Sequence, residues 1–187
     1  MLKTFYDGYC AELEEALKAV DVNQLQNLID LIEKTRTNGG NIYMLGNGGS
    51  AVCASHWVCD MGKGARNPNM PPIKITALSD NTAMMTAVAN DISYDEAFSY
   101  QLEALAGTGD LVIGLSVSGN SPNLLRAFEF AKKMGCATAC IIGDMGGKLG
   151  EMANLSIVVK SKNYGVVEDA HLILNHILSQ YIRGRNS

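Results

Sequence analysis

Apolar residues recur at intervals of three and four through the first 37 positions: Leu13, Leu17 and Val20, then Leu25, Leu28, Ile29 and Ile32. That spacing predicts helix. The polar stretch from Asp21 to Gln24 divides it into two helices. Asn38, Gly39 and Gly40 end the second, because glycine tolerates the left-handed backbone of a helix stop. Beyond residue 40 the pattern changes. Short, mainly apolar runs at 42–45, 73–78, 111–115, 137–142 and 155–159 read as five strands, with helical spacing between them, as at 123–134. A long amphipathic helix, 166–182, closes the chain.

Apolar strands alternating with helices predict an α/β fold with a parallel sheet covered on both faces. Ligands of such sheets bind beyond the carboxyl ends of the strands. Two loops stand there: Gly-Asn-Gly-Gly-Ser at 46–50 and Ser-Val-Ser-Gly-Asn-Ser at 116–121. The 62–72 segment, rich in glycine and proline, reads as a loop. There is no internal repeat, low-complexity tract or interdomain linker. The expected organisation is one domain over 1–187, a helical pair at 1–37 followed by an α/β core at 38–187.

Composition narrows the function classes. The chain has 187 residues, 47% of them hydrophobic and 18% charged, which fits one folded domain with a substantial core. A net charge of −4 does not suggest a non-specific nucleic-acid surface. The first ten residues lack the features of a signal peptide. No apolar run approaches the ~20 residues needed to span a membrane, so the expected location is cytoplasmic. Cysteines at 10, 53, 59, 136 and 140 are odd in number and form no CxxC pair. They are expected to be small buried residues, not disulfides or thiolate zinc ligands.

The first loop follows a strand and opens a helix, where backbone amides and the helix N-terminus favour an anion. No lysine follows it, and position 51 is alanine, so neither the ATP-type loop nor the dinucleotide fingerprint fits. A plain tight turn fits as well as a phosphate site. The second loop is more pointed. Ser116, Ser118 and Ser121 fall within six residues. Hydroxyls with free amides form a neutral phosphate cradle. Helix capping, with Pro122 at the first helical position, accounts for Ser121 but leaves Ser116 and Ser118 without a role.

Three histidines, His56, His171 and His176, remain. His56 and Asp60, four apart, share a helix face. On the last helix Glu168 precedes His176 by eight residues, which brings both to roughly the same side about two turns apart. His171 competes as a partner of Glu168. His56, Asp60, Glu168 and His176 would suffice for zinc, or for a general acid and base. Spacing alone does not say whether the two helices meet.

These motifs together resemble the sugar isomerase (SIS) domain and, within it, the sedoheptulose 7-phosphate (phosphoheptose) isomerases. The matching stretches are GNGGS (46–50), His56 with an acid at 60, ALSDNTAMMTAVANDISYDEAFSYQLEAL (77–105), SVSGNSPNLLRA (116–127), GDMGGKLG (143–150) and EDAHLILNHIL (168–178). The resemblance implies a three-layer αβα sandwich around a five-stranded parallel sheet. It implies a homotetramer with active sites at subunit interfaces, with the 1–37 pair involved in assembly. It implies aldose–ketose isomerisation of a phosphosugar through an enediol. Asp60 and His176 match the acid–base pair. Asn47, Gly48, Gly49, Ser50, Asn90, Asp91, Ser116, Ser118, Ser121 and Glu168 match substrate-binding positions. Where relatives hold zinc, the four ligands map to His56, Asp60, Glu168 and His176. This sequence departs from the family pattern in several places. Asp60 replaces a glutamate, Glu168 a glutamine, Gly165 an aspartate, Val166 an arginine and Val117 a threonine. A second carboxylate at 168 makes a divalent ion more expected here than in a glutamine-bearing relative. The same motifs fit an isomerase of another phosphosugar. Non-catalytic relatives, which bind a sugar phosphate or assemble on partner proteins, lack the acid and the last-helix histidine present here.

Overall fold

The structure, a computed structural model, describes residues 1–185. Two helices lead, α1 (Leu2–Lys18) and α2 (Val22–Thr37). Asp21 separates them and caps α2, its carboxylate accepting from the Asn23 amide at 2.8 Å. β1 (Asn41–Leu45) feeds α3 (Gly49–Cys59), which runs directly into a π-helical turn, Asp60–Gly64. There follow β2 (Lys74–Ala77), α4 (Thr82–Asp91), α5 (Ser99–Leu105), β3 (Leu111–Ser116) and α6 (Pro122–Lys133). The chain ends with β4 (Ala137–Gly143), α7 (Lys148–Met152), β5 (Leu155–Val159) and α8 (Tyr164–Arg185).

The five strands form one parallel sheet in the order β2-β1-β3-β4-β5. Successive side chains of a strand point to opposite faces, so the apolar runs feed two cores. Ile42, Met44, Ile113, Leu115 and Ile141 pack on one side with residues of α2, α3 and α8. Tyr43, Leu45, Val112 and Ile142 pack on the other with Phe128 of α6 and Leu102 of α5. This is the expected three-layer αβα sandwich. α2 belongs to a layer of it: Leu25, Leu28, Ile29 and Ile32 are buried in the same core as the sheet. α1 lies outside, against α8, where the Tyr9 hydroxyl donates to Asp169 Oδ2 at 2.7 Å. No helix among the described residues is long and apolar enough to cross a membrane.

The sequence reading needs local corrections. The 62–72 segment is not all loop. Its first residues complete the π-turn, closed by the Ala65 amide donating to the Asp60 carbonyl at 2.7 Å. The apolar run at 73–78 is strand only over 74–77, and Leu78 begins a single 3-10 turn. Cys53, Cys136 and Cys140 are buried as expected, but Cys10 and Cys59 face outward from their helices.

Candidate active site

The chain leaves β1 for β2 on one side and returns to β3 on the other. Such a reversal opens a crevice beyond the strand ends. Both candidate loops start there, since Leu45 of β1 and Gly114 of β3 are partners across the ladder. Between them lies a pocket of about 120 Å³, lined by Asn47, Ser50, Leu115, Ser116, Val117, Ser118, Ser121, Tyr164 and Glu168.

In the first loop Gly48 adopts φ 54° and ψ −124°, a backbone geometry that a side chain would strain. It sets the start of α3, whose first amides to find a backbone acceptor are Ala51 and Val52. The Gly49 and Ser50 amides are those that a helix start leaves open for a ligand. Asn47 is held on three bonds. Its Nδ2 donates to Asn123 Oδ1 and its Oδ1 accepts from Asn123 Nδ2, each at 2.9 Å. The Tyr94 hydroxyl also donates to Asn47 Oδ1, at 2.8 Å. A primary amide has two N–H donors, so one remains for a ligand.

The serine loop inverts the sequence reading. Ser121 occupies the N-cap of α6 with Pro122 behind it, yet its side chain makes no capping bond. Asn123 Oδ1 serves the Leu124 amide instead, at 3.0 Å. Ser116 Oγ accepts from the Gly119 amide at 3.0 Å, and Ser118 Oγ from the Asn120 amide at 3.2 Å. Those bonds use oxygen lone pairs and leave each hydroxyl proton to donate. The shape of the loop accounts for Ser116 and Ser118, while capping does not account for Ser121.

Helices α3 and α8 meet at the second feature. His56 Nε2 and His176 Nε2 lie 3.0 Å apart, and Asp60 Oδ2 lies 3.3 Å from the first and 3.4 Å from the second. Asp60 stands where α3 becomes the π-turn, a helical irregularity frequent at functional sites. The buried Asn175 amide orients its carboxylate, donating to Oδ2 at 2.7 Å. The three ligand atoms suit a cation. Donors around a tetrahedral zinc at 2.0–2.1 Å would sit about 3.3 Å from one another. Both imidazoles would then offer a bare Nε2.

Glu168 is not in this group. Its carboxylate lies against Gly49, where an added Cβ would fall 2.3 Å from Oε2 and 2.4 Å from Oε1. It faces the serine pocket. Asn90 and Asp91, at the end of α4, are exposed and bonded to each other at 2.7 Å, and they do not line that pocket. His171 is not a partner of Glu168. It is fully buried, with Nε2 3.1 Å from the Ile141 carbonyl, and burial pushes its pKa down to about 4. It is a neutral packing group.

Other departures from the family pattern have packing causes. At Gly165 an added Cβ would lie 2.7 Å from the Tyr9 hydroxyl, so no side chain fits while Tyr9 bonds Asp169. Val166 and Val117 are buried in the core. Sequence reasoning missed Tyr94, Asn123, Tyr164 and Asn175. Tyr94, Asn123 and Asn175 matter through partners distant in the chain, and Tyr164 through its place in the pocket wall, and no spacing rule signals either.

Residues 6–143 match the SIS domain family. A probable phosphoheptose isomerase of Thermoplasma volcanium is 36% identical over 168 residues, covering 90% of this chain and 85% of the relative. The phosphoheptose isomerase of Chlorobaculum parvum is 36% identical over 176 residues, covering 93% and 84%. The structure of phosphoheptose isomerase from Neisseria gonorrhoeae superposes with a TM-score of 0.88 at 27% identity, covering 98% of this chain and 97% of that one. These likenesses span most of the chain and agree with one another: the chain belongs to the SIS-domain family, among its phosphoheptose isomerases.

Proposed function

We propose that the protein is an aldose–ketose isomerase that converts sedoheptulose 7-phosphate to D-glycero-D-manno-heptose 7-phosphate through an enediol. One observation carries this reading. The start of α3 closes one side of a phosphate-type cradle, and the same helix carries His56 and leads into Asp60 of an acid–base group. Ser50, in the cradle, precedes His56 by six residues, about 9 Å along a helix axis. A seven-carbon phosphate ester spans a similar length from phosphorus to its carbonyl end.

The phosphate sits on the Ser116, Ser118 and Ser121 hydroxyls and the Gly49 and Ser50 amides, with Asn47 presenting its remaining N–H. Asp60, oriented by Asn175, removes the proton from the carbon beside the carbonyl. His176, within hydrogen-bond reach of the same centre, moves the second proton between the two oxygens. The electron pair released at one carbon reduces its neighbour, so no redox cofactor is consumed. The ligand group of His56, Asp60 and His176 suits zinc or a similar divalent ion. Such an ion, when bound, would polarise the substrate oxygens as a Lewis acid. We place the enzyme in the cytoplasm as a homotetramer with active sites at subunit interfaces. Exposed Phe5, Tyr6, Val22, Ile177 and Tyr181 support assembly, since scattered polar contacts would not cover them. Asn90 and Asp91 would then act from such an interface.

The test is to incubate purified protein with sedoheptulose 7-phosphate in D₂O beside a panel of other ketose phosphates, and to follow the products by NMR. Aldoheptose phosphate carrying deuterium at the carbon beside the carbonyl is expected. Faster turnover of another ketose would reassign the substrate. Metal analysis should find zinc bound to the wild type and depleted in His56→Ala. Metal-free protein of full activity would remove the ion from the reaction.

A further inference from the structure

We infer that Glu168 makes phosphate binding in this protein dependent on a co-bound divalent cation. The inference rests on the reading of the serine pocket as a phosphate cradle and deepens it.

The residues lining that pocket include no lysine, arginine or histidine. Glu168 is the one charged side chain among them, and its charge has the sign of the ligand. It does not merely border the cradle. Both carboxylate oxygens lie within 2.4 Å of where a Cβ on Gly49 would be. They therefore occupy the approach to the start of α3, whose open amides are the strongest anion donors in the pocket. No hydrogen bond or ion pair to another side chain holds the carboxylate there among the described residues. A glutamine of the same shape would present an amide N–H to a phosphate. The glutamate presents only acceptors.

A phosphate ester thus enters a half-enclosed site against a like charge, where screening by water is incomplete. The nearest built cation position is the His56, Asp60 and His176 group, on the same two helices. A cation there opposes the field of Glu168. A carboxylate drawn into that group also cannot remain on Gly49. Both effects have the same sign, so cation and phosphate ester favour each other's binding, and the coupling is reciprocal.

The experiment measures binding, not turnover. Sorbitol 6-phosphate carries the phosphate but no carbonyl, so it cannot react. Its dissociation constant is measured by calorimetry on chelator-stripped protein, with and without added zinc, for the wild type and Glu168→Gln. Zinc is expected to tighten wild-type binding about tenfold or more, and the stripped variant to bind about tenfold tighter than the stripped wild type. Zinc should add little to the variant. Equal affinities of the stripped wild type and stripped variant would overturn the inference, as would an equal effect of zinc on both. Circular dichroism of each protein and a parallel Glu168→Ala series separate a folding defect from a charge effect. Failure of the isomerase reading shows elsewhere, as absence of aldose from sedoheptulose 7-phosphate in protein that still binds the ester.

Discussion

At the scale of the residue, Asp60 is the most exposed claim. It is one methylene shorter than the family's glutamate, yet its Oδ2 reaches both imidazoles. The π-turn beginning at Asp60 and the Asn175 amide set where that short side chain points. Asp60→Asn and His176→Ala should each lower kcat by about 10²–10⁴, the span of general acid–base catalysis. Each variant, stripped of metal, should bind sorbitol 6-phosphate about as tightly as the stripped wild type. A kcat near the wild-type value in either variant would remove that residue from proton transfer. Tyr94 makes a finer prediction. Its segment is pinned by Arg126 Nη1 to Glu96 Oε1 at 3.0 Å, and its hydroxyl fixes the Asn47 amide. Tyr94→Phe removes one hydrogen bond worth about 1 kcal/mol. KM should rise severalfold with kcat little changed, because a looser Asn47 affects binding more than proton transfer. Rotation of the amide in the opposite sense, seen as a fall in kcat alone, would contradict that assignment. The reactive residues were legible because His56 with Asp60 shares one helix face and the serines crowd one strand end. Asn123 and Tyr94 were not, since their role exists only once residues about 76 and 47 positions away are folded beside them.

At the scale of the element, long periodic segments were readable and short ones were not. The helical pair, the five strands, α6 and α8 follow from apolar spacing. α5 and α7, of seven and five residues, are too short for periodicity to register. Neither does a pattern of apolar residues announce that α3 ends in a π-turn. The packing of α1 on α8 shows how one glycine settles an interface. Tyr9 is pushed up to about 12, first by burial and then by its bond to Asp169, so it remains a neutral donor. Gly165 leaves room for its hydroxyl. In the wild-type background Gly165→Ala should therefore destabilise, by about 1–2 kcal/mol, as the methyl displaces a hydrogen bond to a carboxylate. In a Tyr9→Phe background the nearest atoms are ring carbons at 3.4 and 3.5 Å, ordinary contacts. There the same substitution should be neutral or stabilising by up to about 1 kcal/mol, since alanine suits a helix better than glycine. A double-mutant cycle read by thermal melts checks this. Additive effects would mean that the hydroxyl does not decide the position.

At the scale of the whole molecule, what the sequence leaves open is which elements meet. Alternating strands and helices imply a covered parallel sheet, but no spacing rule gives the order β2-β1-β3-β4-β5 or brings α3 against α8. One buried group makes that assembly sensitive to acid. His171 lies between α8 and the sheet, fully buried. Its Nε2 hydrogen is directed at the Ile141 carbonyl, and its Nδ1 has no partner. A proton added to Nδ1 would be buried with no acceptor, which is why the pKa falls to about 4 from an ordinary 6.5. The folded value is the depressed one, so as pH falls the unfolded chain takes up the proton first. The stability His171 contributes is therefore complete above about pH 6.5, declines steadily between 6.5 and 4, and is exhausted below. The decline should amount to about 3 kcal/mol. Urea unfolding at closely spaced pH values measures it. Carboxylates titrate across part of the same window, so the readout is the difference from His171→Gln. That variant is expected to be less stable at pH 7, having lost a shape fitted to the core, but to lose less on acidification. Parallel slopes for the two proteins would show that acid sensitivity arises elsewhere. Because α8 also carries His176, activity at low pH should disappear along with the fold, and a wild-type protein inactivated near pH 4.5 should recover when returned to neutrality.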